Sequence, residues 1–250
     1  MTDIEVSRAD RIQILRFNRP AKKNALTGAM YTALVEALIS GDSSSDVAVH
    51  VILGSDGVFS AGNDIHDFLK TAGSNTGLGE DVLRFVRLLP LVAKPMIAGV
   101  DGLAIGIGTT LLLHCDLVYA TERAQFSTPF LNLGLVPEAA SSLLMPQRFG
   151  HARAFEMLAL GNSFTAERAY EAGLVNAVVP VPDLETTVMA AAQRLAAKPS
   201  EALIAARRLM RGDVAPILNR IDEEAAAFKE RLASPEAQAA FAQFLNKSRG

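Results

Sequence analysis

The chain has 250 residues, 50% of them hydrophobic and 20% charged, with a formal net charge of −3. That suits one large domain, or a domain with an appendage, around a sizeable core. The mild acidity excludes a nucleic-acid or anionic-membrane partner held by bulk charge, and no apolar run approaches the roughly 18–20 residues of a membrane span.

Met1-Thr2-Asp3-Ile4-Glu5 carries early acids where a leader would be basic and then apolar, so no signal peptide is expected. The single cysteine, Cys115, lies in the apolar run Leu111-Leu112-Leu113-His114-Cys115 and reads as a small buried hydrophobe. With no intrachain disulfide possible, a reduced, cytoplasmic setting is the default expectation.

Ile12 to Phe17 alternates and stops at Asn18-Arg19-Pro20, which predicts a strand and a turn. Thr27 caps a predicted helix from Gly28 to about Ile39, with Tyr31, Leu34, Val35 and Leu38 on one stripe. Val47–Leu53 is a β-branched strand, Thr71–Gly79 a glycine-bearing loop and candidate lid, and Asp81–Leu89 a helix stopped by Pro90. An apolar strand follows at Pro95–Val100, then a helix over Thr109–Cys115 and strands near Leu117–Ala120 and Gln125–Ser127.

Helices are expected at Ala139–Phe149 and Ala152–Leu160, and a short one between Thr165 and Gly173, before a strand at Val175–Val179. From Leu184 onward the chain is Ala-, Arg- and Glu-rich and entirely helical in pattern. The reading is an α/β core to about residue 195 with a helical region after it.

Two glycine-bearing turns follow strands: Phe59-Ser60-Ala61-Gly62-Asn63-Asp64 and Gly102-Leu103-Ala104-Ile105-Gly106-Ile107-Gly108. The second lacks the third glycine of a dinucleotide fingerprint, and no acid sits about twenty residues on, so a nicotinamide site is poorly supported. Two such turns could instead aim two backbone N–H groups at one oxygen, or be ordinary turns.

Seven segments in order resemble the crotonase (enoyl-CoA hydratase/isomerase) superfamily. They are Asn18-Arg19-Pro20, Lys23-Asn24-Ala25-Leu26, Phe59 to Asp64, Pro95 to Gly102, Cys115-Asp116 with Ala124-Gln125-Phe126, Leu133 to Pro137, and Ala169 to Val175. The resemblance implies an α/β spiral of ββα units over residues 1–195. It also implies a C-terminal helical oligomerisation region over 196–250, forming a homotrimer or dimer of trimers. The implied substrate is an acyl-CoA thioester, with no metal and no separate cofactor, coenzyme A being part of the substrate.

By position, the resemblance assigns the backbone N–H groups of Asn63 and Ile107 as oxyanion donors. It assigns Ala61, Gly62, Asp64 and Ile65 to the acyl and pantetheine path, and Lys23, Ala25 and Leu26 to the adenine end. Phe244 and Lys247 match a C-terminal aromatic-x-x-lysine pattern that completes the nucleotide pocket, and Lys247 can equally be a solvated terminal lysine.

The choice of base decides the reaction. A hydratase of this family uses two carboxylates, and here Thr110 and Phe130 stand at those positions. One acid remains nearby, Glu138 in Pro137-Glu138-Ala139-Ala140-Ser141-Ser142, which resembles the delta-3, delta-2-enoyl-CoA isomerase branch. The expectation is a 3-enoyl-CoA to 2-enoyl-CoA isomerase of fatty acid metabolism with Glu138 as single acid and base.

A glutamate after proline is also a common first-turn residue of a helix, and a helix N-terminus would lower its pKa rather than raise it. The alternatives are a hydratase or other crotonase reaction with an unusual base (Glu138 with water, or Asp64), and an acyl-CoA-binding member whose catalysis has decayed. His66 is a candidate for the acyl pocket or a surface residue. His50, His114 and His151 have no ligand-like spacing. The Arg207, Arg208 and Arg211 cluster reads as a solvated or subunit-contact face, and the residues from Phe68 to Gly79 as part of the far wall of the pocket.

Overall fold

The computed structural model describes residues 2–55, 57–65 and 79–247, with side chains up to residue 243. Strand β2 (Ile12–Phe17) lies second from one edge of the main sheet, with Ile12, Leu15 and Phe17 fully buried. Its antiparallel partner β1 (Ile4–Ala9) buries only Ile4. An edge strand with one apolar anchor leaves little hydrophobic periodicity, which is why sequence reading passes over it.

On the other side, β3 (Val49–Leu53), β5 (Met96–Val100), β7 (Leu117–Thr121) and β10 (Ala177–Val179) add in parallel, giving the order β1-β2-β3-β5-β7-β10. Strands β3 and β5 are buried throughout. That explains their continuous apolar runs, since a parallel sheet is covered on both faces.

A second sheet, β4-β6-β8-β9, is built from short strands: β4 (Val58–Ser60), β6 (Leu103–Ile105), β8 (Gln125–Ser127) and β9 (Phe164–Thr165). Strands β3 and β4, β5 and β6, and β7 and β8 each place one strand in each sheet, and helical segments intervene before the next pair. The chain thus climbs as a spiral of ββα turns. Parallel neighbours require such crossovers, because a tight hairpin joins only antiparallel strands.

Helix α1 (Gly28–Ser43) starts where expected, with the Thr27 hydroxyl accepting from Met30 N–H at 3.3 Å. Helix α2 (Glu80–Leu88) packs beside it, with the Tyr31 and Phe85 rings 5.3 Å apart. The helix expected over Thr109–Cys115 begins earlier, as α3 (Ile107–Thr110), and tightens into a 3-10 turn at Leu111–His114. That expected over Ala152–Leu160 is α5 (His151–Phe155) continued by a π turn at Glu156–Leu160.

Helix α4 (Ser141–Phe149) starts two residues later than expected, because Ala139 and Ala140 take φ of 57° and 56°. Left-handed φ in consecutive alanines is steric strain, and it lifts the preceding residue off the helix.

After α6 (Ala166–Glu171), helix α7 (Leu184–Ala196) covers the outer face of the main sheet through Leu184, Val188 and Ala192. The helices that follow are α8 (Ser200–Arg211), α9 (Ala215–Leu232) and α10 (Pro235–Lys247). They are packed onto the same core, not hung from it: Ile221, Phe228, Leu232, Ala237 and Phe241 belong to the main buried cluster. Arg207 is 5% exposed, its Nε 2.9 and 2.8 Å from the two Asp116 carboxylate oxygens, and Arg211 donates to the His114 carbonyl. The expectation of a solvated arginine face is therefore corrected for these two residues. Among the described residues no helix is long and apolar enough to cross a membrane.

Candidate active site

The Lys23–Leu26 loop is shaped by two successive left-handed residues, Lys23 (φ 51°) and Asn24 (φ 54°). Asn24 tolerates this conformation, and its fully buried side chain donates from Nδ2 to the Val58 carbonyl at 2.7 Å. The loop then runs along the first glycine turn: Ala61 N–H donates to Lys23 O, Leu26 N–H to Gly62 O and Asp64 N–H to Leu26 O, at 2.8–2.9 Å. Two sequence segments nominated separately thus lie side by side.

The two glycine turns also touch. A Cβ on Gly62, whose φ is +88°, would sit 2.9 Å from the Ile105 carbonyl oxygen, and one on Gly108 would sit 3.0 Å from Ser60 O. Only glycine at both places lets the turns close on each other. Gly106 adopts φ 57°, ψ −120°, a conformation essentially closed to side-chain-bearing residues. Its own N–H is tied to Ser127 O at 2.8 Å.

Among the described residues, neither Asn63 N–H nor Ile107 N–H donates to a protein acceptor. Both residues line one cleft of about 400 Å³. Two unengaged amides on abutting turns at the wall of one cleft are the raw material of an anion-stabilising pair.

The same cleft is lined by Lys23, Ala61, Gly62 and Ile65, and by Phe130, Phe228 and Phe241. Leu26 is buried and bridged to Asn63, and neither it nor the half-buried Ala25 lines the cleft. Asp64 is held by Arg19, Nη1 to Oδ2 at 2.7 Å, with both side chains largely buried. A carboxylate clamped in this way is a poor candidate for a recruited base. The far wall comes from Phe228 of α9 and Phe241 of α10, which sequence reading could not place. Residues 66–78, which include His66 and most of the candidate lid, lie outside the described residues, as do the side chains of Phe244 and Lys247.

Glu138 is 1% exposed. Thr110, three residues after Ile107 and itself fully buried, donates from Oγ1 to Glu138 Oε1 at 2.5 Å. The other carboxyl oxygen, Oε2, has no hydrogen-bond partner among the described residues. Burial is the largest influence on this group and pushes its pKa up to about 8. The Thr110 bond opposes that rise, and the nearby charge of Glu224 adds to it.

The carboxyl lies behind the cleft lining and not on it. It is joined to the wall through Thr110, and it also lies near Tyr31, whose buried hydroxyl donates to Asn63 Oδ1 and whose own pKa is raised by burial and by the charge of Glu138.

Glu138 is not in the first turn of α4. The amides there are taken by Glu224 of α9, which accepts from Ala140 N–H at 2.6 Å and Ser142 N–H at 2.9 Å. The helix-start reading of Glu138 is therefore corrected. Sequence reading had no sign of Glu224, one of two adjacent glutamates on an ordinary helix. It took Tyr31 for a core stripe residue and Thr110 only for a missing acid.

The remaining candidates are structural. Cys115 is buried and its thiol is pushed up to about 12, mainly by burial. His114 is held down to about 3 by burial, beside the Ala139 carbonyl at 2.9 Å. His50 bridges Asp42 and Gln13. Among the described residues no group of three or more His, Cys, Asp or Glu is placed to hold a metal ion.

A spiral of ββα turns with this paired-turn cleft defines a class, and comparison with known proteins agrees. The enoyl-CoA hydratase/isomerase profile matches residues 7–249, and the chain belongs to that family. Enoyl-CoA delta isomerase 2 of Rattus norvegicus is 39% identical over 214 residues, covering 84% of this chain and 54% of the rat protein. The chain therefore spans about half the length of that relative. The 2,3-dehydroadipyl-CoA hydratase of Escherichia coli is 34% identical over 84% of this chain and 82% of its own. Among solved structures, OdaA of Pseudomonas aeruginosa superimposes with a TM-score of 0.91 at 42% identity, covering 98% of this chain and 99% of that one. Such likeness to both an isomerase and a hydratase leaves the reaction to the site itself.

Proposed function

We propose that the protein isomerises 3-enoyl-CoA thioesters to 2-enoyl-CoA thioesters, with Glu138 as the single acid and base. The observation that carries this reading is the buried Glu138 carboxyl, whose Oε2 meets no partner among the described residues, at a site where Thr110 and Phe130 stand in place of the two acids hydration needs. A threonine hydroxyl and a phenylalanine ring cannot deprotonate water near neutrality.

The reaction requires C2 of the bound acyl chain to reach Glu138 Oε2 past the cleft lining. The ionised carboxylate then removes a proton from C2, and the C–H electron pair moves into a C1–C2 double bond as charge develops on the thioester oxygen. The amides of Asn63 and Ile107 stabilise that charge, each contributing roughly 3–4 kcal/mol. The protonated Glu138 then returns the proton at C4. The C3–C4 π electrons form the new C–H bond, a C2–C3 double bond appears, and the oxyanion collapses to the carbonyl. No water, metal or redox partner enters the balance.

In this reading Lys23, Ala25 and Leu26 take the adenine end, and Ala61, Gly62, Asp64 and Ile65 the pantetheine and acyl path. Phe244 and Lys247 close the nucleotide pocket. A homotrimer or dimer of trimers belongs to the same proposal. Leu209 and Met210, 79% and 80% exposed on α8, offer apolar surface for it, and the mass in solution tests it.

The deciding experiment supplies 3-hexenoyl-CoA and, separately, crotonyl-CoA, and follows the conjugated thioester in the ultraviolet. Conjugation appearing from the first supports isomerisation. Its loss from the second without isomerisation of the first would replace this reading with hydration, and silence in both would point to a binding protein.

A further inference from the structure

We propose that Glu224, reaching from α9 across to the start of α4, is a positioning residue that holds Glu138 off the helix and leaves one of its oxygens unengaged. The inference rests on the reading of Glu138 as acid and base, and deepens it.

A helix N-terminus attracts the nearest carboxylate, and Glu138 lies only three residues before Ser141, within reach of those amides. Glu224 takes the place first. Its Oε2 accepts from Ala140 N–H at 2.6 Å, and its Oε1 accepts from Ser142 N–H at 2.9 Å and Ser142 Oγ at 2.5 Å. Those bonds also brace the left-handed Ala139–Ala140 pair, which turns the chain between Glu138 and the helix. Among the described residues Glu138 is left with Thr110 alone on Oε1 and nothing on Oε2.

The surroundings of both acids narrow the electrical account. Glu138 is faced by Thr110 of α3, by Tyr31 of α1, neutral because its pKa is raised, and by Glu224. His114, bonded to the intervening Ala139 carbonyl, is uncharged at working pH. Glu224 is faced by Ser142 and by Arg220 of its own helix, which donates to Ser142 Oγ at 3.2 Å and to Glu223 at 2.8 Å. Among the described groups so placed, Glu224 is the negative charge acting on Glu138.

The test compares wild type with Glu224→Gln and Glu224→Asp by two readouts. One is the pH dependence of kcat/KM with 3-hexenoyl-CoA. The other is the infrared carbonyl band of protonated Glu138, identified by its loss in Glu138→Gln, which needs no turnover. In Glu224→Gln the rising, acid-side limb and the band titration should both move to lower pH by about one unit, and Glu224→Asp should restore the wild-type position.

Wild-type activity with limb and band unmoved in Glu224→Gln would overturn the inference while leaving the isomerase reading intact. A band that moves in a protein without isomerase activity would support the link between the two acids and sink the isomerase reading. Should Glu224→Gln not fold, Ser142→Ala removes one donor from Glu224. It should move the band in the same direction by less, and an unmoved band there overturns the inference.

Discussion

Replacing Glu138 by glutamine keeps the shape of a buried side chain and an acceptor for Thr110, and removes only its ability to ionise. In the fold, burial holds this carboxyl up to about 8 against an ordinary 4.5. The unfolded chain releases the proton near the lower value, so across that window folding takes up one proton at this side chain. A group raised in this way gives stability that is whole below the unfolded value and is lost as pH climbs toward the folded one. The wild type should therefore lose about 1.4 kcal/mol of stability from this group for each pH unit between about 4.5 and about 8, roughly 5 kcal/mol in all. The glutamine variant loses none of it.

Urea unfolding of both proteins at a series of pH values isolates the effect, because every other titrating group is shared. The variant's stability relative to wild type should climb with pH at that slope and level off above about 8. Under the proposed reaction the same ionisation governs catalysis. Since only the carboxylate can take the C2 proton, wild-type kcat/KM should rise with pH through about 8, and Glu138→Gln should lose turnover while still binding CoA esters. A pH-independent stability difference would mean that Glu138 ionises in the fold as freely as in water, and surviving turnover would remove it from the chemistry. Either result refutes the reasoning.

Tyr31→Phe deletes the buried donor to Asn63 Oδ1. The orphaned acceptor should cost about 1–3 kcal/mol in denaturant unfolding, and kcat should fall more than KM rises, since the loosened turn carries the amide proposed as an oxyanion donor. Gly62→Ala places a Cβ 2.9 Å from Ile105 O at a φ of +88°. It should destabilise by about 1–3 kcal/mol and abolish activity by parting the two turns, and an active, equally stable variant would contradict that contact. Arg207→Met removes the buried partner of Asp116, which keeps Arg211 at 3.6 Å and some contact with solvent, and should cost about 1–3 kcal/mol. The neighbouring exposed Arg208→Met should stay within about 0.5 kcal/mol in the same assay.

Much of the fold was legible in the chain. The strands β2, β3 and β5 show in their apolar runs, the start of α1 in Thr27, and the two glycine turns in their position after strands. The short strands β4, β6 and β9, of two or three residues, carry too few side chains to make a period. The Arg207 cluster misled for a related reason. Three arginines on one helix look solvated until the distant Asp116 is brought against two of them.

Sequence determined which residues could do chemistry here: glycines that permit the two turns, a threonine and a phenylalanine where acids would serve hydration, and one remaining glutamate. The glycines are a matter of residue type and local spacing; the roles of the threonine, the phenylalanine and the glutamate come from the resemblance of the chain's motifs to a known family, and no fold is needed to read either. Tertiary structure decided the state of that glutamate. The threonine on one oxygen and the helix end already claimed by Glu224 come from residues 28 and 86 positions away along the chain, and the burial from the packing around them. Local pattern places an acid beside a helix and expects it to be acidic; only the packing of α3 and α9 around it withholds water and the helix's positive pole, so that it keeps its proton.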